Sequence, residues 1–406
     1  MKRLSVLMAA AFVDMLGFAM IFPLLPFYAL RLQAEEWVIG WMIASFSIVQ
    51  LASSPLWGRL SDKLGRRSAI LFGLGTSAVA FVVFGFAGSI WMLFLSRIVQ
   101  GLGGGTTGVL QAYVADVTEP RDRAKALGWL SAATGVGVMI GPAIGSLAFK
   151  MGHAAPGIVA AALCLVNIWF AWRWLPESYP EHHRSGAAGG PAGAPRNIRT
   201  MIVDVLRAPE SDIARLIWVY AGGMLGFMSM TAVLALYLAS DFGVTEESIF
   251  IFFVYLGGIG VVMRAVLLGK LVDWLGEVRL MRVGAFTLML GLVAIPLPHS
   301  VVGLCLMLGL VPIGTACLFP ATSALISHRA ERHELGQTLG VQQAFGGVSR
   351  VLAPIWATAA FQALGVGIPF YLSGAVVGLV LLTTLGVRRE QPAHASPSPA
   401  PPVGSA

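Results

Sequence analysis

Asp14 is the one carboxylate of this sequence that falls deep inside an apolar run; every other Asp and Glu falls at the end of such a run or between two of them. A carboxylate held in lipid can take up and release a proton there, and ionisable residues inside membrane spans are rare enough that each is a candidate for function. The alternative is a structural hydrogen bond to the backbone of a neighbouring helix. Three arginines share this setting: Arg97, Arg264 and Arg350. At helical periodicity Arg97 shares a face with Gln100, Gly101, Gly104, Gly108 and Gln111, Arg264 with Gly257 and Gly260, and Arg350 with Gln343, Gly347 and Pro354. Such faces must look toward a cavity or a partner, because an unpaired guanidinium does not stay in hydrocarbon. Arg264 is expected near enough to its helix end to snorkel, and Arg97 and Arg350 in the outer halves of theirs. Asp14 is expected about 10 Å from Arg97 in depth, which argues against a direct pair.

The elements that position these groups are set by composition. Hydrophobic residues make up 57% of the chain and charged ones 12%, which excludes a water-soluble surface. A membrane span needs about 20 apolar residues, and such runs lie near 5–30, 38–57, 68–87, 90–115, 124–149, 155–175, 212–240, 247–268, 280–297, 299–327, 335–361 and 365–387. They predict an all-α membrane protein with twelve transmembrane helices in two groups of six. The net charge of +7 could suggest nucleic-acid binding, yet most Lys and Arg fall in alternate loops that insertion physics keeps in the cytoplasm, so that partner is excluded. Both termini are then cytoplasmic, and the first run, with no small-residue cleavage site, reads as a retained span.

Domains follow from the same pass: a six-helix bundle over 1–175, a Gly/Ala/Pro-rich linker over 176–210, a second bundle over 211–389 and a disordered Pro/Ala/Ser tail over 390–406. The three cysteines, Cys164, Cys305 and Cys317, lie in apolar runs without metal-ligand spacing and read as packing residues. No Ser/His/Asp, metal or phosphate-loop constellation appears, so neither an enzyme nor a cofactor is expected; His182 and His183 fall in the linker, and His328 and His333 flank a loop.

The two halves repeat one another. Gly58-Arg59-Leu60-Ser61-Asp62-Lys63-Leu64-Gly65 returns as Gly269-Lys270-Leu271-Val272-Asp273-Trp274-Leu275-Gly276. Leu127-Gly128, Pro142 and Phe149 likewise return, at constant offset, as Leu339-Gly340, Pro354 and Phe361. Paired repeats around a central path are the architecture of alternating-access transporters.

Four motifs carry a family resemblance. Gly58 to Arg67, with Gly65, Arg66 and Arg67 closing it, is similar to the loop G-x-L-x-D-[RK]-x-G-[RK]-[RK] of the major facilitator superfamily. Leu93, Arg97, Gln100, Gly101, Gly103 and Gly104 resemble its fourth-span motif. Gly128, Gly137, Gly141, Pro142 and Gly145 resemble the fifth-span pattern of its antiporters, with Ser146 where the last glycine stands. Asp14, Gly17, Pro23 and Pro26 resemble the first span of twelve-span drug:proton antiporters, including tetracycline efflux pumps. The resemblance implies two pseudo-symmetric six-helix bundles in the inner membrane, Asp62 gating by contact with the start of the eleventh span in the outward-facing state, and Arg66 near Asp116. Asp273 would anchor a weaker second gate, because Glu277 and Val278 replace the double cation. Unlike the tetracycline pumps, the third and ninth spans carry no further acid.

The function expected is a monomeric proton-coupled antiporter that exports small amphipathic compounds, with Asp14 as proton site. Deep arginines opposite a single acid favour anionic or zwitterionic cargo over lipophilic cations. Gln50, Gln100, Asn167, Gln342, Gln343, Arg97 and Arg350 are candidate cavity residues, alongside Phe22, Trp41, Phe46, Phe227, Tyr237 and Tyr255, each of which could instead face lipid or pack. Two other readings stand beside this one: an organic-anion or lysolipid carrier not coupled through Asp14, and a non-transporting membrane sensor or scaffold.

Overall fold

A computed structural model describes residues 2–119, 122–178, 198–331 and 334–387. Among them no strand forms, as lipid demands: a helix satisfies its backbone within one segment, so an apolar run can cross a bilayer in no other open form. The elements are α1 (Lys2–Ile21), α2 (Leu25–Arg31), α3 (Glu36–Leu64), α4 (Arg66–Gly85), α5 (Ile90–Gly104), α6 (Thr107–Val117), α7 (Arg123–Phe149), α8 (Ala155–Trp174), α9 (Ile198–Arg207), α10 (Asp212–Phe242), α11 (Phe250–Val262), α12 (Leu268–Leu275), α13 (Glu277–Ala294), α14 (Val301–Arg329), α15 (Leu335–Leu364) and α16 (Ile368–Leu385). Among the described residues, ten segments are long and apolar enough to cross a membrane. The other two expected spans are also helical: α5 with α6, and α13. The protein is a multi-pass helical membrane protein.

Boundaries follow local chemistry. Ser89, Ser211 and Ser300 accept the backbone N–H of Met92, Ala214 and Gly303, capping α5, α10 and α14. The repeated loop turns the same way twice: Gly65 has φ 98 and ψ 153, and Gly276 has φ 72 and ψ 159. That region favours glycine, which explains why both copies end on one.

Four expectations change. The fourth span is interrupted between Gly104 and Thr107, so the face predicted to run from Arg97 to Gln111 is split between two helices. The eighth span carries a π-helical turn, Met263–Leu267, between α11 and α12 and continues to Leu275. The added turns carry the charged loop residues Lys270 and Asp273, and at about 1.5 Å per residue Arg264 lies about 9 Å from Lys270, so its expected place near the end of the apolar run is unchanged. Extension of α15 to Leu364 places Arg350 at its midpoint rather than in its outer half. Finally, part of the expected linker is helical. α9 buries Val205, and Trp218 Nε1 donates to the Val205 carbonyl at 3.4 Å. The rest of the linker between 179 and 197, and the tail beyond 387, lie outside the described residues.

Candidate functional site

Asp14 sits two thirds of the way along α1, partly exposed, and makes no hydrogen bond or ion pair among the described residues. One turn away Phe18 stacks on Phe22 with ring centroids 5.7 Å apart and meets Phe46 of α3 at 5.3 Å. On the same flank of α1 lies α8, where Asn167 Nδ2 donates at 2.9 Å to the carbonyl of Ala10, one turn before Asp14, and Cys164 of α8 lies within electrostatic reach of the Asp14 carboxyl. The carboxyl therefore lies near α8, partly exposed and one turn from Phe18.

Several candidate cargo contacts are committed to the protein itself. Asn167 ties α8 to α1, Gln50 Nε2 donates to the Gly104 carbonyl at 3.0 Å, and Gln342 Nε2 donates to Ser323 Oγ at 2.8 Å. Gln100 is buried, and its Oε1 has no partner among the described residues. Tyr237 and Tyr255 donate to the carbonyls of Ile295 and Cys305. Such bonds orient helices where lipid offers no competing partner. Arg97 departs furthest from expectation. Its side chain is 2% exposed, donates to Ser96 Oγ at 3.1 Å and lies 5.6 Å from the Phe84 ring centroid, so it faces α4 rather than an open passage.

The gating loop is assembled around a guanidinium. Arg66 Nη1 lies 2.8 Å from Asp62 Oδ1, and its Nε lies 3.3 Å from Asp116 Oδ2. Glu177, just past α8, accepts the backbone N–H groups of Arg66 at 2.8 Å and Arg67 at 3.2 Å, capping the positive end of α4. Arg67 donates to the Trp172 carbonyl. Asp62 is half exposed and paired within its own loop, not with the start of α15. Asp273, in the second copy, is exposed and enters no ion pair among the described residues.

Two seams join the bundles, α3 against α15 and α7 against α11. Each is tight toward the face bearing the 31–36, 150–155 and 243–249 connections. On the first, Trp37 N donates to Gln362 Oε1 at 3.2 Å, and Gln362 Nε2 donates to Glu35 Oε2 at 3.1 Å. A Cβ on Gly40 would overlap Thr358 Oγ1 and stand 2.5 Å from the Pro354 carbonyl oxygen. On the second, Ser146 Oγ donates to the Glu246 carbonyl at 2.7 Å, and Met139 fills the space beside Gly257. Arg31 Nη2 bridges α2 to Glu246 Oε1 at 2.7 Å, and His153 lies 2.6 Å from Arg31 Nη1. Glu35 is held below the usual carboxylate range by the hydrogen bond from Gln362 and then by that from Trp37.

Toward the opposite, basic face both seams part. Gly58, Gly128, Gly135, Gly269, Gly336 and Gly340 have nothing within 4 Å of where a Cβ would stand. The glycines of the antiporter-type helix act elsewhere than expected. Gly137 and Gly141 let α7 approach the Phe12 and Leu16 carbonyl oxygens to 2.5 and 2.7 Å of a built Cβ, and Gly145 meets Met20, so this stripe seals α7 on α1 within one bundle. Pro142 lies inside α7. Contact with the other bundle comes instead from Met139 and from Ser146, the residue that departs from the pattern.

Sequence reasoning missed Arg31, Glu35, Trp37, Ser146, Glu246 and Gln362. One signal was available: Glu35, Glu36, Glu246 and Glu247 place acids on the face that is poor in Lys and Arg.

A sequence profile described as Major Facilitator Superfamily matches residues 7–311 and 297–405. The chain is 30% identical over 395 residues to Multidrug resistance protein 1 of Bacillus subtilis (strain 168), covering 96% of this chain and 97% of that one. It is 27% identical over 412 residues to the class D tetracycline resistance protein of Salmonella ordonez, covering 97% and 99%. The crystal structure of the human organic anion transporter MFSD10 (TETRAN) superposes with a TM-score of 0.71 at 20% identity, covering 94% and 99%, a likeness of fold alone.

Proposed function

We propose that this chain, which belongs to the Major Facilitator Superfamily, works as a proton-coupled antiporter that exports small amphipathic compounds. Relatives named for multidrug and tetracycline resistance support drug-like cargo. The bundles 1–175 and 211–389, joined by 176–210, form one monomeric unit in a bacterial inner membrane. The basic face is cytoplasmic by the distribution of Lys and Arg, so both termini are cytoplasmic and the conformation described is open to the cytoplasm and sealed outside. Cargo enters between the parted seams; rocking of the bundles then parts the outer contacts and closes the inner ones. Asp62, released here into its pair with Arg66, engages the start of α15 in the opposite state.

The observation that carries the coupling is Asp14: the one acid well inside a span, partly exposed and hydrogen-bonded to no described residue. A carboxyl with no fixed partner can exchange its proton with whichever side the passage faces, which a structural hydrogen bond would prevent. In proteoliposomes carrying the wild-type protein, an imposed pH gradient should drive uptake of a fluorescent multidrug-pump dye against its concentration. Asp14→Asn should abolish that accumulation and retain dye exchange at equal pH. Gradient-driven accumulation that survives Asp14→Asn contradicts the assignment.

A further inference from the structure

The second bundle places two arginines, Arg264 and Arg350, where the seams part. At about 1.5 Å per residue, Arg350 lies about 21 Å from Leu364 along α15, at the middle of that helix. Arg350 sits next to the last tight contact of its seam. Leu51 of α3 lies 2.9 Å, and Arg350 Nη2 lies 3.8 Å, from the point where a Cβ on Gly347 would stand. Neither arginine enters a hydrogen bond or ion pair among the described residues. Arg350 is too far from both ends of α15 to snorkel, and a guanidinium at that depth requires water or an anion.

Its surroundings are built for an organic anion. The Tyr220 ring packs on Gly346, and the Tyr220 hydroxyl accepts from Gln343 Nε2 at 3.4 Å. Tyr220 meets Phe319 edge to face at 5.3 Å, and Phe319 meets Phe227 at 6.4 Å. A forked cation, a phenol and a carboxamide thus adjoin an aromatic wall. On the facing bundle Phe18 and Phe22 of α1 meet Phe46 of α3.

We propose that Arg350, with Tyr220 and Gln343, forms an anion subsite that selects aromatic cargo bearing a carboxylate or sulfonate, zwitterions included, over the same compounds with that group esterified. The guanidinium matches a carboxylate by two parallel N–H donors, which an ammonium cannot do. The apolar part of the cargo lies toward Phe18 and Phe46. This inference rests on the reading of the open mouth as the cargo path, and it leaves proton coupling to Asp14.

The test is a matched pair of dyes: rhodamine 110, a zwitterion with a free carboxyl, and rhodamine 123, its methyl ester. Binding to the purified protein in nanodiscs, without a pH gradient, is read by fluorescence polarisation. The wild type should bind rhodamine 110 at least about tenfold more tightly than rhodamine 123, as expected for a desolvated charge-assisted contact. Arg350→Gln should erase that ratio by weakening rhodamine 110 alone. Arg350→Lys should restore part of it, and Tyr220→Phe should lower it by a smaller factor. Retained rhodamine 123 binding shows that the variants fold. A wild type that binds neither dye or prefers the ester, or an Arg350→Gln protein that keeps the wild-type ratio, overturns the subsite. Asp14→Asn keeps the dye ratio while losing gradient-driven uptake, so failure of coupling and failure of the subsite are read separately.

Discussion

The outer and inner halves of the two seams use the same residue type in opposite ways. In the outer half Gly40 and Gly257 are pressed against Thr358, Pro354 and Met139, and their missing side chains make the contact possible. In the inner half Gly58, Gly128, Gly269 and Gly340 face open space. Glycine costs helix stability, roughly 0.5–1 kcal/mol per position relative to alanine, so glycines that touch nothing are accounted for by a second conformation in which those halves close. Along the seams, the difference between filled and empty glycines is what the proposed inward-open conformation would leave.

The largest effect should come from filling a contact already made. Gly40→Val forces a side chain into backbone of α15, and overpacking of about 1–3 kcal/mol should shift the balance toward the outward-open state about tenfold or more. Alkylation of a cysteine placed at Gln362 should report it as faster labelling, and transport should fall with it. The converse substitution, Gly340→Leu, meets nothing here. It should raise thermal stability slightly through helix propensity while cutting turnover by about tenfold, because inner closure is blocked at a cost of about 1–2 kcal/mol. A Gly340→Leu protein that transports normally would remove the argument from empty glycines. The two loop copies sharpen the same contrast: Asp62→Asn should lower transport by about fivefold, the value of a charged contact near 1 kcal/mol, and Asp273→Asn by less than about twofold.

Much of this architecture is legible in the residues. Hydropathy and the placement of Lys and Arg locate the helices, and the loop ending at Gly65 and again at Gly276 is visible as a repeat before its shared left-handed turn is known. The interruption between Gly104 and Thr107 and the π turn at Met263–Leu267 are not, because hydropathy is blind to backbone hydrogen-bond register. The amphipathic α9 was hidden in a stretch dominated by Gly and Pro. The outer seal is the largest omission. Trp37 with Gln362 and Arg31 with Glu246 pair residues hundreds of positions apart, and a single sequence carries no signal for such pairing. Polar residues inside spans mislead for a related reason: Gln50 and Asn167 have the composition of cargo contacts, yet they bond helix carbonyls.

Smaller effects concern the polar part of the seal. Arg31→Ala removes a pair that is only partly buried, with side-chain exposures of 43% and 13%, and should favour outer opening by about two- to fivefold, read as the same cysteine-labelling rate. The smallest effect is pH-dependent. Because hydrogen bonds from Gln362 and Trp37 lower the Glu35 carboxyl, its contribution to the seal is complete above the ordinary carboxylate range and is lost as the outer pH falls through the lowered value. With Gln362 intact, the spin-label distance between positions 33 and 365 at the outer end of that seam should therefore lengthen in acid, and Glu35→Gln should flatten that dependence.

The central claim, that the seams open alternately, is tested most directly by paired spin-label distances in one reconstituted protein. Labels at Gln33 and Gly365 report the outer end of the α3–α15 seam, and labels at Lys63 and Gly336 report its inner end. On addition of cargo with a reversed pH gradient, the outer distance should lengthen as the inner one shortens. Distances that lengthen together, or an inner pair that stays apart while cargo is turned over, would contradict the account.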